Sequence, residues 1–258
     1  MIKRNVFKIA GPALIQEALN NPGVLSKCYS VFRNYSVMNG LALAMQCRKR
    51  GLDVGPCASF KKWGELGGKV NKGEKALWVC VPMLVKKHKE ESPKEDEKDE
   101  SFMFFSWKPC VFTLAQVSGV EQSALPPAVG SWSIENVISS LNIPVLPWNS
   151  TDGNAQGYAT QEGVALNPLG KHKVRTFAHE AAHYLMHFKD KADKETKEVE
   201  AELVSYIVGA SLELPGEEES RGYIQHWLGN NELSQKSAMR VLACANKILR
   251  GGEQPCHK

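Results

Sequence analysis

Residues 176–185 constrain this chain more than any other stretch, because they contain the pattern His-Glu-x-x-His. Nothing in the stretch breaks a helix, and alanines fill the gaps between its polar residues. Residues four apart lie on one face of a helix, so His179 and His183 can present two imidazoles to one cation. Glu180 would then lie beside the cation, where its carboxylate can take a proton from water activated by the metal. The alternative is two hydrogen-bonded, chemically inert histidines on a partly buried helix.

The composition is that of a globular protein, with 43% hydrophobic and 23% charged residues among 258, enough for one large domain or two small ones. The 7 cysteines include no Cys-x-x-Cys pair, which argues against a disulfide framework and a cysteine zinc site and fits a reducing cytoplasm. The apolar run near the N-terminus is too short and interrupted for a signal peptide. Residues 77–85 are too few to span a bilayer, so we expect a cytoplasmic protein with no membrane partner.

Charge is distributed unevenly along the chain. Residues 1–118 contain 19 Lys and Arg against 11 Asp and Glu, a net charge of +8, whereas residues 119–258 carry a net charge of −4. A basic first half joined to a mildly acidic second half suggests that the first half meets a polyanion. The alternative is a solvated, lysine-rich surface.

The first half is predicted to begin with helices and continue with strands. Helices are expected over 12–21 and 24–50, the second bent or divided at Asn39-Gly40. A short helix and glycine turn over 58–68 precede strands at 76–82 and 102–117. These strands predict a hairpin whose tip carries the charged loop 86–100. Lysines here are interleaved with Phe60, Trp63 and Trp78, and such aromatic faces can stack on unpaired bases, although each tryptophan alone fits a core position equally well.

The second half is predicted to mix short strands with longer helices. Ser133 is the expected N-cap of a helix through Leu141, and strands are expected over 143–146 and 157–167. In zinc peptidases a strand near the metal helix offers its edge to an extended peptide, and residues 163–167 are the candidate here. Helices over 217–229 and 232–250 are expected to close the domain without contributing chemistry.

A catalytic zinc site usually takes three protein ligands and leaves one position open, so a third ligand is needed. Met186 and Lys189 stand where the metzincin pattern requires Gly and His, which excludes that class. His187 lies one turn after His183, too far along one straight helix to reach the same cation, and we expect it to be exposed or capping. A carboxylate from the next helix, which is predicted to begin near Asp193 and to lie antiparallel, is the remaining solution.

Glu198 is the predicted third ligand, and Glu202, one turn on, is the predicted acceptor that orients a ligand histidine. The two share a helix face with Ser205 and Gly209, whose small side chains would let another helix approach closely. Glu200 falls on a different stripe of the helix. The alternative is that the glutamates of this helix form a solvated acidic face.

Two groups of motifs carry a resemblance to a known family. Residues 63–76 and 112–119, preceded by Tyr35, Asn39 and Gln46, resemble the N-terminal domain of ArdC-type antirestriction proteins, and conjugative plasmid primases of the TraC kind carry a similar domain. Residues 179–183, 198–202 and 223–228 resemble the zincin-like domain of the same antirestriction proteins. The resemblance covers nearly the whole chain.

This resemblance implies an α+β protein with two domains. Residues 1–118 would form a helical and β-hairpin domain that binds single-stranded DNA without strong sequence preference, 119–130 a linker, and 131–258 a zincin-like metallopeptidase domain. It implies a gluzincin-like site for Zn²⁺, or another divalent metal such as Mn²⁺, and protection of incoming plasmid or phage DNA from host restriction. Together with the lysine and aromatic pattern, it leads us to expect DNA contacts at Arg33, Asn34, Lys61, Lys62, Trp63, Lys72 and Lys75.

Two other functions fit the same residues. The chain could be a regulatory zinc peptidase that cleaves a specific repressor, with an N-terminal domain that binds protein rather than DNA. It could also be a pure binding protein in which the metal is structural. The sequence contains the parts of a hydrolytic site but names neither a peptide substrate nor a restriction-system component as partner.

Overall fold

The computed structural model describes residues 8–32, 34–86, 101–120, 131–152 and 154–254. By their contacts these residues divide into two compact units, the first within Met1–Lys8 and Gln46–Ala124, the second within Ile9–Met45 and Leu125–Lys258. The described strands pair antiparallel and are combined with helices, so the predicted α+β class is confirmed. None of the helices in the described ranges is long and apolar enough to cross a membrane.

The secondary structure follows the predicted order of elements, except that the strand expected over 143–146 is reduced to an isolated bridge from Val145 to Val164. The helices are α1 (Gly11–Asn20), α2 (Val24–Val31), α3 (Val37–Lys49), α4 (Phe60–Glu65), α5 (Ile134–Leu141), α6 (Lys173–Met186), α7 (Lys194–Ser211), α8 (Glu217–Asn230) and α9 (Gln235–Gly252). The strands are β1 (Cys57–Ser59), β2 (Lys69–Val70), β3 (Leu77–Lys86), β4 (Ser101–Thr113), β5 (Val117–Ser118), β6 (Gly157–Thr160) and β7 (Gly163–Leu166).

The first unit is built on a sheet in the order β1-β4-β3 with antiparallel pairing. The long pairing of β3 with β4 confirms the predicted hairpin, and its predicted charged tip lies outside the described residues. Gln46 holds one end of β3, because its side-chain amide donates to the Trp78 carbonyl and accepts from the Trp78 amide, both at 2.8 Å. At the end of β4, Thr113 and Gln116 form a reciprocal capping box that turns the chain toward β5.

The second unit is organised around α7, which packs against α2, α6, α8 and α9. From Val199 to Ser211 almost every side chain of α7 is buried, as expected for a helix that is covered on all sides. The helices α1 and α5 pack on α9. The Tyr206 hydroxyl donates to the Ala18 carbonyl at 3.1 Å and thereby ties α7 to α1.

Two predicted elements are divided differently in the structure. The helix expected over 24–50 is broken at residues 32–36 rather than at Asn39-Gly40, and Gly40 of α3 lies against α2, since a Cβ at Gly40 would stand 3.4 Å from the Cβ of Cys28. The strand expected over 157–167 is the hairpin β6–β7, turned where the Thr160 hydroxyl accepts from the Glu162 amide at 3.2 Å. The predicted helix starting after Ser133 is confirmed, since the Ser133 hydroxyl accepts from the Asn136 amide.

The two compact units also differ from the predicted division of the chain into residues 1–118, 119–130 and 131–258. The second unit includes α1, α2 and α3 as far as Met45, because α1 packs on α9 and α2 on α7. Most of the predicted linker lies outside the described residues. The three-part division therefore stays a prediction about domains, whereas the compact units are a property of the contacts.

Candidate metal centre

The histidine motif is presented by α6, whose opposite face is buried. Ala178, Ala181 and Ala182 are at 0% exposure, and these small side chains let α6 pack closely on its neighbours. The Ser205 hydroxyl of α7 donates to the Arg175 carbonyl of α6 at 3.0 Å. One turn further along α7, a Cβ at Gly209 would collide with the Arg175 guanidinium, so the small residues on this face do admit a neighbouring helix.

The structure brings the three predicted metal ligands together. His179 Nε2 lies 3.2 Å from His183 Nε2, and Glu198 Oε2 lies 3.4 Å from the first and 3.5 Å from the second. Tetrahedral ligands at about 2.0–2.1 Å from a zinc ion stand about 3.3–3.4 Å apart, so this triangle has the dimensions of one face of such a site. Glu198 is 41% exposed, which leaves the cluster open on its solvent side. The donor set therefore fits a divalent cation with an accessible position.

Glu202 lies behind His179, at the place predicted for an orienting acceptor. Its Oε2 is 3.3 Å from His179 Nδ1, on the far side of the ring from the ligand cluster. Burial disfavours the charged form of both groups, but the hydrogen bond between them and the surrounding charges outweigh it, so the pKa of His179 is raised and that of Glu202 lowered. This contact fixes which ring nitrogen of His179 faces the cluster.

Glu180 faces a cleft beside the ligand cluster. The walls of this open cleft include Gln156, Thr176 and Ser220. Burial raises the pKa of Glu180, His179 opposes the shift, and the negative charge of Glu198 adds to it. A partly buried carboxyl group with a raised pKa beside an open cleft is a candidate for proton transfer.

The strand edge next to the motif is β6 and not the predicted stretch 163–167. One edge of β7 pairs with β6, and the other is bridged by Val145 to Val164, so β7 has no edge to offer. Within the described residues, β6 has no strand partner on its outer edge. The Asn167 amide donates to the Gln156 carbonyl, so Gln156 bonds toward β7. Successive residues of an antiparallel strand bond alternately toward the partner and away from it, so the peptide groups of Gly157 and Ala159 point outward.

His187 is expected from the sequence to be exposed or capping. It occupies the C-cap position of α6, but it is buried, with only 4% exposure. Its Nδ1 lies 2.9 Å from Nδ1 of His183, and its Nε2 lies 3.0 Å from Oε2 of Glu200, which is at 0% exposure. This pair was not predicted from the sequence. The available signals were the third histidine at a spacing of four and a glutamate within the otherwise apolar run of α7.

The predicted DNA contacts belong to both compact units. Exposed lysines occupy the first unit as expected, and Asn34 is exposed but belongs to the second unit, whereas Arg33 lies outside the described residues. Trp63 is 1% exposed and its indole donates to the Phe112 carbonyl at 2.9 Å, so in this structure it is a core residue with no free ring face for a base. Phe60, on the same short helix, is 66% exposed. The four predicted lysines, Lys61, Lys62, Lys72 and Lys75, are all exposed.

The fold and the site define an α+β protein in which a His-Glu-x-x-His helix and a following glutamate-bearing helix bring three ligand atoms to one point. Comparisons with known proteins narrow this class. Residues 15–110 match the model of the N-terminal domain of anti-restriction factor ArdC. These residues therefore form a domain similar to the N-terminal domain of that antirestriction factor.

Crystal structures of the antirestriction protein ArdC from plasmid R388 have the same fold. The metal-free form superposes with a TM-score of 0.56 at 18% identity, covering 95% of this chain and 96% of that one. The Mn(II)-bound form gives a TM-score of 0.53 at 18% identity, covering 95% and 98%. An uncharacterized protein of Bacillus anthracis is 25% identical over 87% of this chain but only 46% of its own length, so the chain spans about half of that relative.

Proposed function

We propose that this protein is an antirestriction factor that binds single-stranded DNA through its first unit and holds a divalent metal at a peptidase-like site in its second. It would thereby protect incoming mobile-element DNA from host restriction. The observation that carries the proposal is the convergence of His179, His183 and Glu198 at metal-ligand spacing in a chain with an ArdC N-terminal domain. The Mn(II)-bound form of the R388 protein supports a divalent metal in this fold.

The proposed metal is Zn²⁺, with Mn²⁺ as the other option, because two imidazoles and one carboxylate suit both ions. A cation held there supplies Lewis acidity toward a peptide carbonyl. The carboxylate of Glu180 takes a proton from the attacking water and returns it to the leaving amine, which its raised pKa favours. Glu202 keeps Nδ1 of His179 protonated and so leaves Nε2 free to ligate.

The proposed DNA surface comprises four exposed lysines of the first unit, Lys61, Lys62, Lys72 and Lys75, together with the exposed ring of Phe60, which precedes Lys61 on α4. Lysines neutralise phosphates while an exposed ring stacks on an unpaired base, a combination that binds single strands with little sequence preference. Asn34 is a further proposed contact. Because Trp63 is buried, it supports α4 rather than touching DNA in this conformation.

The first experiment measures metal content and oligonucleotide binding on the wild type and on Glu180→Gln. Both proteins are expected to hold one equivalent of Zn²⁺ or Mn²⁺, and only the wild type is expected to cleave peptide substrates. Filter binding at two salt concentrations tests the DNA surface. If the four lysines contact four phosphates, affinity falls about 50-fold between about 50 and 200 mM salt. A wild type that holds no metal, or binding indifferent to salt, contradicts the corresponding half of the proposal.

A regulatory peptidase that cleaves a repressor is the second candidate, favoured by the free edge of β6 beside Glu180. An extended peptide could add to that edge through the outward peptide groups of Gly157 and Ala159. This candidate predicts cleavage of a specific protein and no affinity for oligonucleotides. A purely structural metal predicts instead that antirestriction activity survives Glu180→Gln.

A further inference from the structure

A chain of buried polar groups leads away from the metal cluster into the core behind His183. His183 Nδ1 contacts His187 Nδ1 at 2.9 Å, and His187 Nε2 contacts Glu200 Oε2 at 3.0 Å. The guanidinium of Arg240, on α9, reaches both Glu200 and Asp190. The chain thus joins one proposed metal ligand to three other elements of the second unit: the α6–α7 loop, α7 and α9.

The hydrogen-bond directions in this chain follow from its two ends. Glu200 is paired with the Arg240 guanidinium, so its carboxylate is ionised and can only accept hydrogen bonds. Nε2 of His187 therefore donates to it. Nδ1 of His187 is then an acceptor, which requires a proton on Nδ1 of His183. A neutral His183 with that proton carries its lone pair on Nε2, the atom that faces His179 and Glu198. The chain therefore selects the tautomer of His183 that can ligate a metal.

The position of Glu200 is costly if it serves stability alone. Its side chain is at 0% exposure, and among the described residues its Oε1 has no hydrogen-bond partner. Replacing a buried ion pair by apolar side chains is often neutral or stabilising. A contribution to stability alone therefore does not explain why a carboxylate is buried at this position. Glu200 contacts His187, which in turn contacts the proposed ligand His183, and this arrangement gives the carboxylate a role at the metal site.

We propose that His187, backed by Glu200 and Arg240, is a positioning residue that holds His183 in the tautomer and ring orientation needed to bind a divalent cation. The inference rests on the proposed metal site and deepens it. The two proposed ligand histidines are then oriented by carboxylates in different ways. Glu202 contacts His179 directly, whereas Glu200 acts on His183 through an intervening imidazole.

The test is a Co²⁺ titration followed by visible absorption, on the full-length chain. His187→Phe keeps the ring volume but removes both hydrogen bonds, and is expected to weaken Co²⁺ binding about 10- to 100-fold. His226→Phe is the matched control, because His226 is exposed on α8, and it should bind Co²⁺ as the wild type does. Thermal unfolding of the metal-free variants separates a loss of stability from a loss of affinity.

Glu200→Gln completes a double-mutant cycle. Removing the charge at Glu200 should weaken Co²⁺ binding when His187 is present and have no further effect in the His187→Phe background, because the coupling passes through that ring. Equal effects of Glu200→Gln in both backgrounds overturn the proposal. If His187→Phe does not fold, an unchanged Co²⁺ affinity of Glu200→Gln alone overturns it. A wild type that binds no Co²⁺ contradicts the metal site itself, whereas wild-type binding with an unaffected His187→Phe contradicts only the relay.

Discussion

Gly157 lies so close to Glu180 that a Cβ built on the glycine would stand 2.9 Å from Cγ of the glutamate. The same Cβ would also stand 2.8 Å from Cγ2 of Thr176 and 3.1 Å from the Ala165 carbonyl oxygen. These atoms belong to α6 and β7, which enclose the glycine from two sides. The absence of a side chain therefore lets the strand β6 run directly beside the proposed catalytic carboxylate.

Gly157→Ala is expected to destabilise the protein by about 1–3 kcal/mol and to displace Glu180, because an extra methyl group has no space there. Urea unfolding measures the first effect and peptide cleavage the second. Gly222→Ala is the matched control, since Gly222 lies within α8 with nothing within 4 Å of its added Cβ. Alanine should stabilise that helix by up to about 1 kcal/mol. A neutral Gly157→Ala would contradict the close packing of β6 on α6.

Glu198→Gln is expected to weaken Zn²⁺ or Mn²⁺ binding by at least about 100-fold, because it removes a ligand charge rather than an outer acceptor. Isothermal titration with each ion measures the change. Glu232→Gln removes one negative charge from an exposed position, and should leave the affinity unaltered. If both variants bind metal as tightly as the wild type, Glu198 is not a ligand.

Metal affinity is expected to fall as the pH falls, because protons compete for the ligand nitrogens. The pKa of His179 is raised from its ordinary value of 6.5, so its proton begins to compete above that pH in the metal-free protein. Burial and the neighbouring His179 lower the pKa of His183 to about 4, so His183 competes only in strong acid. Competition titrations near pH 6 should show that about one proton is released for each metal ion bound. Release of two protons at that pH would contradict the different environments of the two rings.

Substitutions at Trp63 and Phe60 should have different effects, the first on stability and the second on DNA binding. Trp63→Ala is expected to lower the free energy of unfolding by about 3–5 kcal/mol, because it empties a core position. Phe60→Ala removes a ring that is 66% exposed, and should change stability little while weakening single-stranded DNA binding by about 1–3 kcal/mol if a base stacks on it. Denaturant titration and fluorescence anisotropy measure the two quantities. Equal DNA affinities for wild type and Phe60→Ala would place the stacking surface elsewhere.

Local patterns were sufficient to predict most elements of this protein. Local patterns predicted the hairpin β3–β4, the motif helix α6 and the start of α7 near Asp193. In the structure the Asp193 carboxylate caps α7 by accepting from the Thr196 amide at 2.8 Å. Spacing along α7 also gave Glu198 and Glu202 as the carboxylates to which α6 presents its histidines. These predictions succeeded because backbone geometry relates residues three or four positions apart directly.

Predictions that depended on burial succeeded less often. Trp63 carried the same aromatic signal as Phe60 but is enclosed by β4, and the free strand edge belongs to β6 because Val145 covers the other side of β7. The grouping of α1 and α2 with the C-terminal helices likewise follows from contacts between elements far apart in the chain. Nothing in the local sequence specifies which of two similar side chains such contacts will cover.

By itself, the sequence determined that one helix carries two imidazoles and a carboxylate at metal-site spacing, and that a glutamate-bearing helix follows it, because helical periodicity is a local property of the chain. Only the tertiary structure decided that His187 and Glu200 are buried behind His183 and joined to Arg240, which is 40 residues from Glu200 along the chain. Burial and long-range hydrogen bonding depend on how whole helices pack, and that packing brings together residues whose sequence positions carry no sign of their contact.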